Sequence, residues 1–310
     1  CYIILNSLNK KVSSLESSPI QNFKELLDIY ETMLGLSRKV FGKNSSQTAH
    51  IISNICELYN NNGLDVKANV LIGQAISIQK FCYSNNIPFS ENAFWHIQTT
   101  FCDIQMGLGS FDISYKVSLG LLTRDINKVI PNEVLVNLIQ ILLRSAITDS
   151  QKNEALTLYK VNEADLEINI DKYNKYGILK LAECYNKVSH YYRSIESNIA
   201  SKPEDERQIE SLNLNRLLKD RYFLKSKNIL EDNNLKGSTY YNILLEDLWW
   251  TDGTFDETEE AFKKLYNAYF KNDISKNEKV LYYQYLGLFY FVKLEHKKAK
   301  KVFKTLVELT

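Results

Sequence analysis

The side chains best suited to hold a metal or attack an electrophile are four histidines, His50, His96, His190 and His296, and five cysteines, Cys1, Cys56, Cys82, Cys102 and Cys184. A zinc site draws its ligands from short-spaced pairs, as in HExxH or CxxC, so that one turn presents two donors to one ion. Neither spacing occurs here. A phosphate-binding loop needs GxxxxGK[ST] or GxGxxG, and Gly107-Leu108-Gly109 lacks the rest of either pattern and the strand that should precede it. GxSxG is absent, and no Cys and His residues stand in a known nucleophile signature. The acidic pairs Asp205-Glu206 and Glu259-Glu260 sit near helix starts, where a carboxylate favours the helix dipole without any role in proton transfer. The chain is therefore expected to be no enzyme, with no cofactor and no metal.

Composition narrows the class further. The chain has 310 residues with 45% apolar and 24% charged side chains, which predicts a packed core. Four prolines and eleven glycines are too few for the turns of an all-β protein and favour long helices. With 38 basic and 37 acidic residues, the chain lacks the basic excess of a nucleic-acid binder. An odd number of scattered cysteines argues against a disulfide framework and for a reducing compartment, cytoplasmic or nuclear. No apolar run is long enough to span a membrane. Asn44-Ser45-Ser46 matches a glycosylation acceptor, a pattern short enough to arise by chance. An opening Cys1-Tyr2-Ile3 in place of Met, and an apolar helix at the end, predict a piece of a longer polypeptide.

Apolar residues recur at i, i+3, i+4, i+7 almost throughout, predicting about fourteen helices and no strand. Pro19 and Gly42 bracket one helix; Ser45 offers a cap to the next and Asn60 to Gly63 close it. Asn85-Asn86 end another, Pro131 opens one, and Ser201 to Glu204 read as a cap with a proline in a first turn. Asn233-Asn234 and Thr251 to Gly253 mark later breaks. Taking Gly63, Gly109, Ser150, Ser189, Gly253 and Leu294 as turns between paired helices, the residues five positions on are Ala68, Ser114, Ala155, Ser194, Thr258 and Ala299. All are small, as required where the second helix crosses closest to the first. Eight positions before each turn stand Ile55, Phe101, Leu142, Leu181, Leu245 and Leu286, all large and apolar. Tyrosines such as Tyr59, Tyr185 and Tyr290 fall on apolar faces and are expected in the core rather than on a base-stacking surface. Lys297, Lys298, Lys300, Lys301 and Lys304 are expected to form a solvated face of the last helix.

The run Tyr283, Leu286, Gly287, Tyr290, Ala299, Phe303, Leu306 is similar to the tetratricopeptide (TPR) pattern. The stretch from Tyr30 to Gln79, with Phe41-Gly42-Lys43-Asn44, Thr48-Ala49, Asn54, Leu58-Tyr59, Gly63, Ala68 and Ala75, resembles the longer TPR variant of kinesin light chains. The middle departs from the pattern at Gln105, Ser118, Ala146 and Asn198. The resemblance implies an all-α, right-handed superhelix (an α-solenoid) of six or seven TPR-like hairpins over 1–310. Its expected parts are N-terminal helices over 1–42, four hairpins over 46–200, a degenerate or inserted unit over 203–236 and two hairpins over 237–310.

A TPR array implies a concave groove lined by the first helix of each hairpin. Mapped onto this chain, the groove residues are His50, Ser53, Glu57, Asn60 and Asn61, then His96, Thr99 and Asp103, then Asn137, Gln140 and Arg144, then Glu183, Asn186 and Lys187. Side-chain amides among them suit an extended peptide, since each can donate to and accept from a backbone. The equivalent residues of the last hairpin, Leu281, Leu288, Phe291 and Val292, are apolar and need a cover. The expected function is a non-enzymatic scaffold that binds a peptide or helix of a protein partner within a larger complex. Three other readings are a peptide-sensing TPR regulator, the helical arm of a large enzyme such as a separase-like protease, and an RNA-binding helical array.

Overall fold

The computed structural model describes residues 2–16, 23–123, 130–203, 208–249, 255–270 and 276–309. Among them every regular element is helical. The chain forms two compact units, residues 1–169 and 170–310. The first holds α1 (Tyr2–Glu16), α2 (Phe23–Val40), α3 (Ser46–Asn61), α4 (Asp65–Ser84), α5 (Glu91–Gly107), α6 (Phe111–Thr123), α7 (Asn132–Ser145) and α8 (Asp149–Ile168). The second holds α9 (Lys175–Ala200), α10 (Ile209–Asp232), α11 (Ser238–Trp249), α12 (Phe255–Leu265), which runs into a π-helical turn over Tyr266–Phe270, α13 (Lys276–Val292) and α14 (His296–Leu309). Each helix packs on a chain neighbour. In the first unit α3 also packs on α5 and α5 on α7; in the second, α9 packs on α11 and α11 on α13. Among the described residues no helix is long and apolar enough to cross a membrane.

Local chemistry explains the helix ends. Ser45, Ser90 and Asn174 cap α3, α5 and α9 by accepting from the backbone N–H three residues on, and Thr148 with Gln151 forms a reciprocal capping box on α8. Five helices close with one motif, in which a residue of positive φ is followed by an N–H reaching back five positions. Those residues are Gly63, Asn86, Gly109, Asn234 and Leu294, and the bonds run from Leu64 to Tyr59, Ile87 to Cys82, Ser110 to Gln105, Leu235 to Leu230 and Glu295 to Tyr290. Three of the turns expected from sequence, at Gly63, Gly109 and Leu294, are among these five. Leu294 alone has a branched side chain at such a position, with φ 61°. Its Cβ crowds the backbone there, and the exposed side chain offsets little of that cost. Leu294→Gly is expected to raise stability by about 1 kcal/mol in urea unfolding. Leu294→Ala, which keeps the Cβ, should give no such gain, and equal effects of the two would discount the strain.

Close crossing follows the small-residue rule. Ala68, Ser114, Ala155, Thr258 and Ala299 are all buried where paired helices meet, and only Ser194 is half-exposed. At the last hairpin the approach is so tight that a Cβ on Gly287 would lie 2.6 Å from the Phe303 ring. Tyr185 and Tyr290 are buried and Tyr59 is half-buried, so these tyrosines are core. Cys56 and Cys102 are fully buried, and burial pushes both thiols up to about 12, which makes them packing groups rather than nucleophiles. The C-terminal lysines are exposed, but Lys298 is tied down: it bonds Glu259 at 3.1 Å and stands over the Phe255 and Tyr290 rings.

Three expectations need correction or fall away. Ser189 is no turn: α9 runs unbroken from Lys175 to Ala200, and its partner is α10. The Ser189 hydroxyl donates to the Lys219 carbonyl on α10 at 2.9 Å, and Ser226 of α10 donates to the Ala182 carbonyl at 2.8 Å. A small residue was needed there because two long helices touch. The run over 209–232 is one helix, α10, packed along α9, and it begins six residues after Pro203, at Ile209. Pro19, Glu204 and Thr251 to Gly253 lie outside the described residues.

Candidate functional site

Within the first unit α5 packs on both α3 and α7, and the expected groove residues stand on these three helices. His50, Ser53, Glu57 and Asn60 follow one another at three- and four-residue steps along α3, so they share one face. That face brings His50 edge-on to His96 of α5, with ring centroids 4.9 Å apart. Glu57 extends along the same side, its Oε2 lying 3.7 Å from His96 Nε2. This is beyond hydrogen-bond reach. It is not an ion pair at neutral pH either. Burial, and then the charge His50 would carry, push the His96 pKa down to about 3, and burial also lowers that of His50. Both rings are neutral at pH 7.

The depth of the other expected groove residues differs from the sequence reading. Ser53 and Gln140 are each 0% exposed, and Thr99 and Asn137 are buried as well. The Thr99 hydroxyl is spent on the Trp95 carbonyl at 3.0 Å. Ser53 and Gln140 therefore present no open surface in this packing. Asn61 and Arg144 are exposed, and Asp103 is half-buried.

Burial without partners is the distinctive property of this seam. Among the described residues, His50 Nδ1, Ser53 Oγ, Asn60 Oδ1, Trp95 Nε1, His96 Nε2 and Asn137 Oδ1 are out of solvent and make no hydrogen bond. Each such atom costs about 1–3 kcal/mol. Native folds leave few of them, so polar groups of a bound chain would gain most on these helices. The sequence showed which faces were polar, but not that their atoms would be left without partners. Among the described residues no three His, Cys, Asp or Glu side chains are arranged to hold a metal ion.

In the second unit, Glu183, Asn186 and Lys187 stand on α9, with Asn186 buried and the other two half-buried. Asn186 is engaged: its Nδ2 donates to Glu246 Oε2 of α11 at 2.6 Å. His190 Nε2 lies 3.5 Å from the same oxygen, and Arg193 Nη2 donates to Asp247 Oδ1 at 2.7 Å. Burial holds the His190 pKa below the usual histidine value, against the pull of Glu246. Asn186, His190 and Arg193 form a ladder fastening α9 to α11. His190 and Arg193 were not among the expected groove residues, although the i, i+4, i+7 spacing of the three was a visible signal. In the last hairpin Leu288, Phe291 and Val292 are exposed and Leu281 is half-buried.

Comparison of the chain with protein-family models, with curated proteins and with solved structures returns no match.

Proposed function

We propose that the chain is a TPR-like α-solenoid and a non-enzymatic scaffold, and that its first unit captures an extended peptide of a partner protein along the seam of α3, α5 and α7. The observation that carries this reading is the row of unpartnered polar atoms on that seam. An extended backbone offers alternating N–H and C=O groups, which is what amide and neutral imidazole side chains need. Asn60 and His96 are half-buried and Asn137 is buried, while Glu57 is exposed enough to meet a basic residue of the peptide. The packing of α3 on α5 on α7, and of α9 on α11 on α13, supports a stacked-hairpin array, because this is how first helices of successive repeats adjoin. A net charge of +1 favours protein over nucleic acid as the partner.

The test is a random-peptide display selection on the full chain, followed by affinity measurement on the double variant Asn60→Ala, Asn137→Ala. Two amide hydrogen bonds at about 1 kcal/mol each make up roughly a thirtyfold loss of affinity. Urea unfolding should be unchanged, since neither side-chain oxygen has an internal partner to lose. Failure to select any peptide, or equal binding by the double variant, would remove the seam as the binding site.

A further inference from the structure

We propose a second, independent site in residues 170–310: the outer face of the last hairpin, α13 with α14, takes an acidic amphipathic helix of a partner protein.

The hairpin leaves large apolar groups in water. Phe291, Val292, Leu294 and Val307 are each more than half exposed, and Leu288 is exposed as well. On α13, Leu281, Leu288 and Val292 step by seven and four residues, so they share one face over about 16 Å. The surface continues onto α14. The His296 ring lies 5.8 Å from that of Phe291, and Lys300 and Val307 follow His296 at steps of four and seven along one flank. Apolar side chains left out along two packed helices mark a contact surface, and its length suits a helix laid alongside.

Leu294 is an independent sign of the same contact. Of the five helix-closing residues with positive φ, the other four are glycine or asparagine. Leu294 takes that conformation at φ 61° with its side chain 75% exposed, so the fold gains nothing from it. A strained apolar residue held out in solvent is accounted for where a partner buries it.

The lysines give the chemistry of that partner. Lys298 is spent on Glu259, and Lys304 lies 4.0 Å from Glu308. Lys293, Lys297, Lys300 and Lys301 are exposed and, among the described residues, have no carboxylate partner. Set against the one exposed, unpaired Glu295, they leave a surplus of three positive charges in a chain whose total is +1. Lys297, Lys300, Lys301 and Lys304 recur at i, i+3, i+4, i+7 and share a face of α14. Lys300 belongs both to this face and to the flank beside Phe291, so apolar and basic surfaces adjoin. An anionic lipid surface would attract the lysines too, but it would press its phosphates on Glu295, and the apolar face runs along α13 instead of ending at its tip.

The test is fluorescence anisotropy on the full chain with three designed helical peptides patterned in heptads: leucine with glutamate, leucine with lysine, and alanine with glutamate. The leucine–glutamate peptide should bind saturably, at least tenfold more tightly than either control, and more weakly as salt rises. Lys297→Glu with Lys300→Glu should weaken it at least tenfold; both side chains are exposed, so the fold is not at risk. Leu294→Gly should weaken binding at least threefold while raising the urea midpoint, a split that a merely structural leucine would not give. Absence of saturable binding, equal binding by either control, or unaltered binding in either variant would overturn the surface. Capture of the chain by phosphatidylserine vesicles without peptide binding would replace the protein partner with a lipid surface.

Discussion

Truncating Trp95 to Ala is expected to cost about 3–5 kcal/mol of stability in residues 1–169, the largest single-residue loss foreseen for this protein. The indole is 1% exposed and packs among Leu121 and Leu138, with Phe94, Val117 and Val134 around them. It fills the space where α5, α6 and α7 meet, so its removal leaves a cavity in that cluster. Trp95→Phe provides the internal control. The indole Nε1 has no hydrogen-bond partner among the described residues, so a phenyl ring keeps much of the packing and sheds an unsatisfied donor. A cost of only about 1–2 kcal/mol is expected for it. Urea unfolding followed by circular dichroism distinguishes the two. A Trp95→Ala variant within 1 kcal/mol of the parent chain would refute the packing described.

The second large effect is acid lability. The folded chain holds His96 neutral, with its pKa pushed down to about 3, against about 6.5 when unfolded. Between those two values the unfolded chain binds more protons, so stability is full above about pH 6.5 and falls as pH drops toward 3. By pH 5 His96 alone accounts for about 2 kcal/mol. His50 and His190 act in the same direction, since burial lowers their pKa values too. Thermal unfolding at pH 7.5, 6 and 5 should show Tm falling across the series. His96→Gln, which cannot titrate, should flatten the fall; an unaltered slope in that variant would disprove the assignment.

Legibility in the sequence followed the range of the interaction. Gly63 and Gly109 marked turns because they allow a positive φ at no steric cost, and the structure places both in such a conformation. Leu294 was recognised as a turn only by alignment with them, since its own residue type argues for the helix. Ala68 and Ala155 marked helix crossings because a larger side chain would hold the backbones apart, and both are fully buried. The failure at Ser189 comes from the same clue. A small polar residue suits both a turn and a tight helix contact. The apolar steps at Ile178, Leu181, Tyr185, Val188 and Tyr192 carry straight through it and were the better guide.

The candidate seam was half visible. His50, Asn60, His96 and Asn137 were identified from their place on polar faces, but so were Ser53 and Gln140, which the fold buries completely. Helix type, caps and turns rest on contacts within about five residues, and the chain order alone was enough to specify them. Which polar atoms end up dry and unpartnered, and which lysine finds Glu259, rest on flanks of helices tens of residues apart. A helical period says which residues share a face. It does not say how deeply a neighbouring helix will bury that face, because burial is a property of the packed assembly and not of the element.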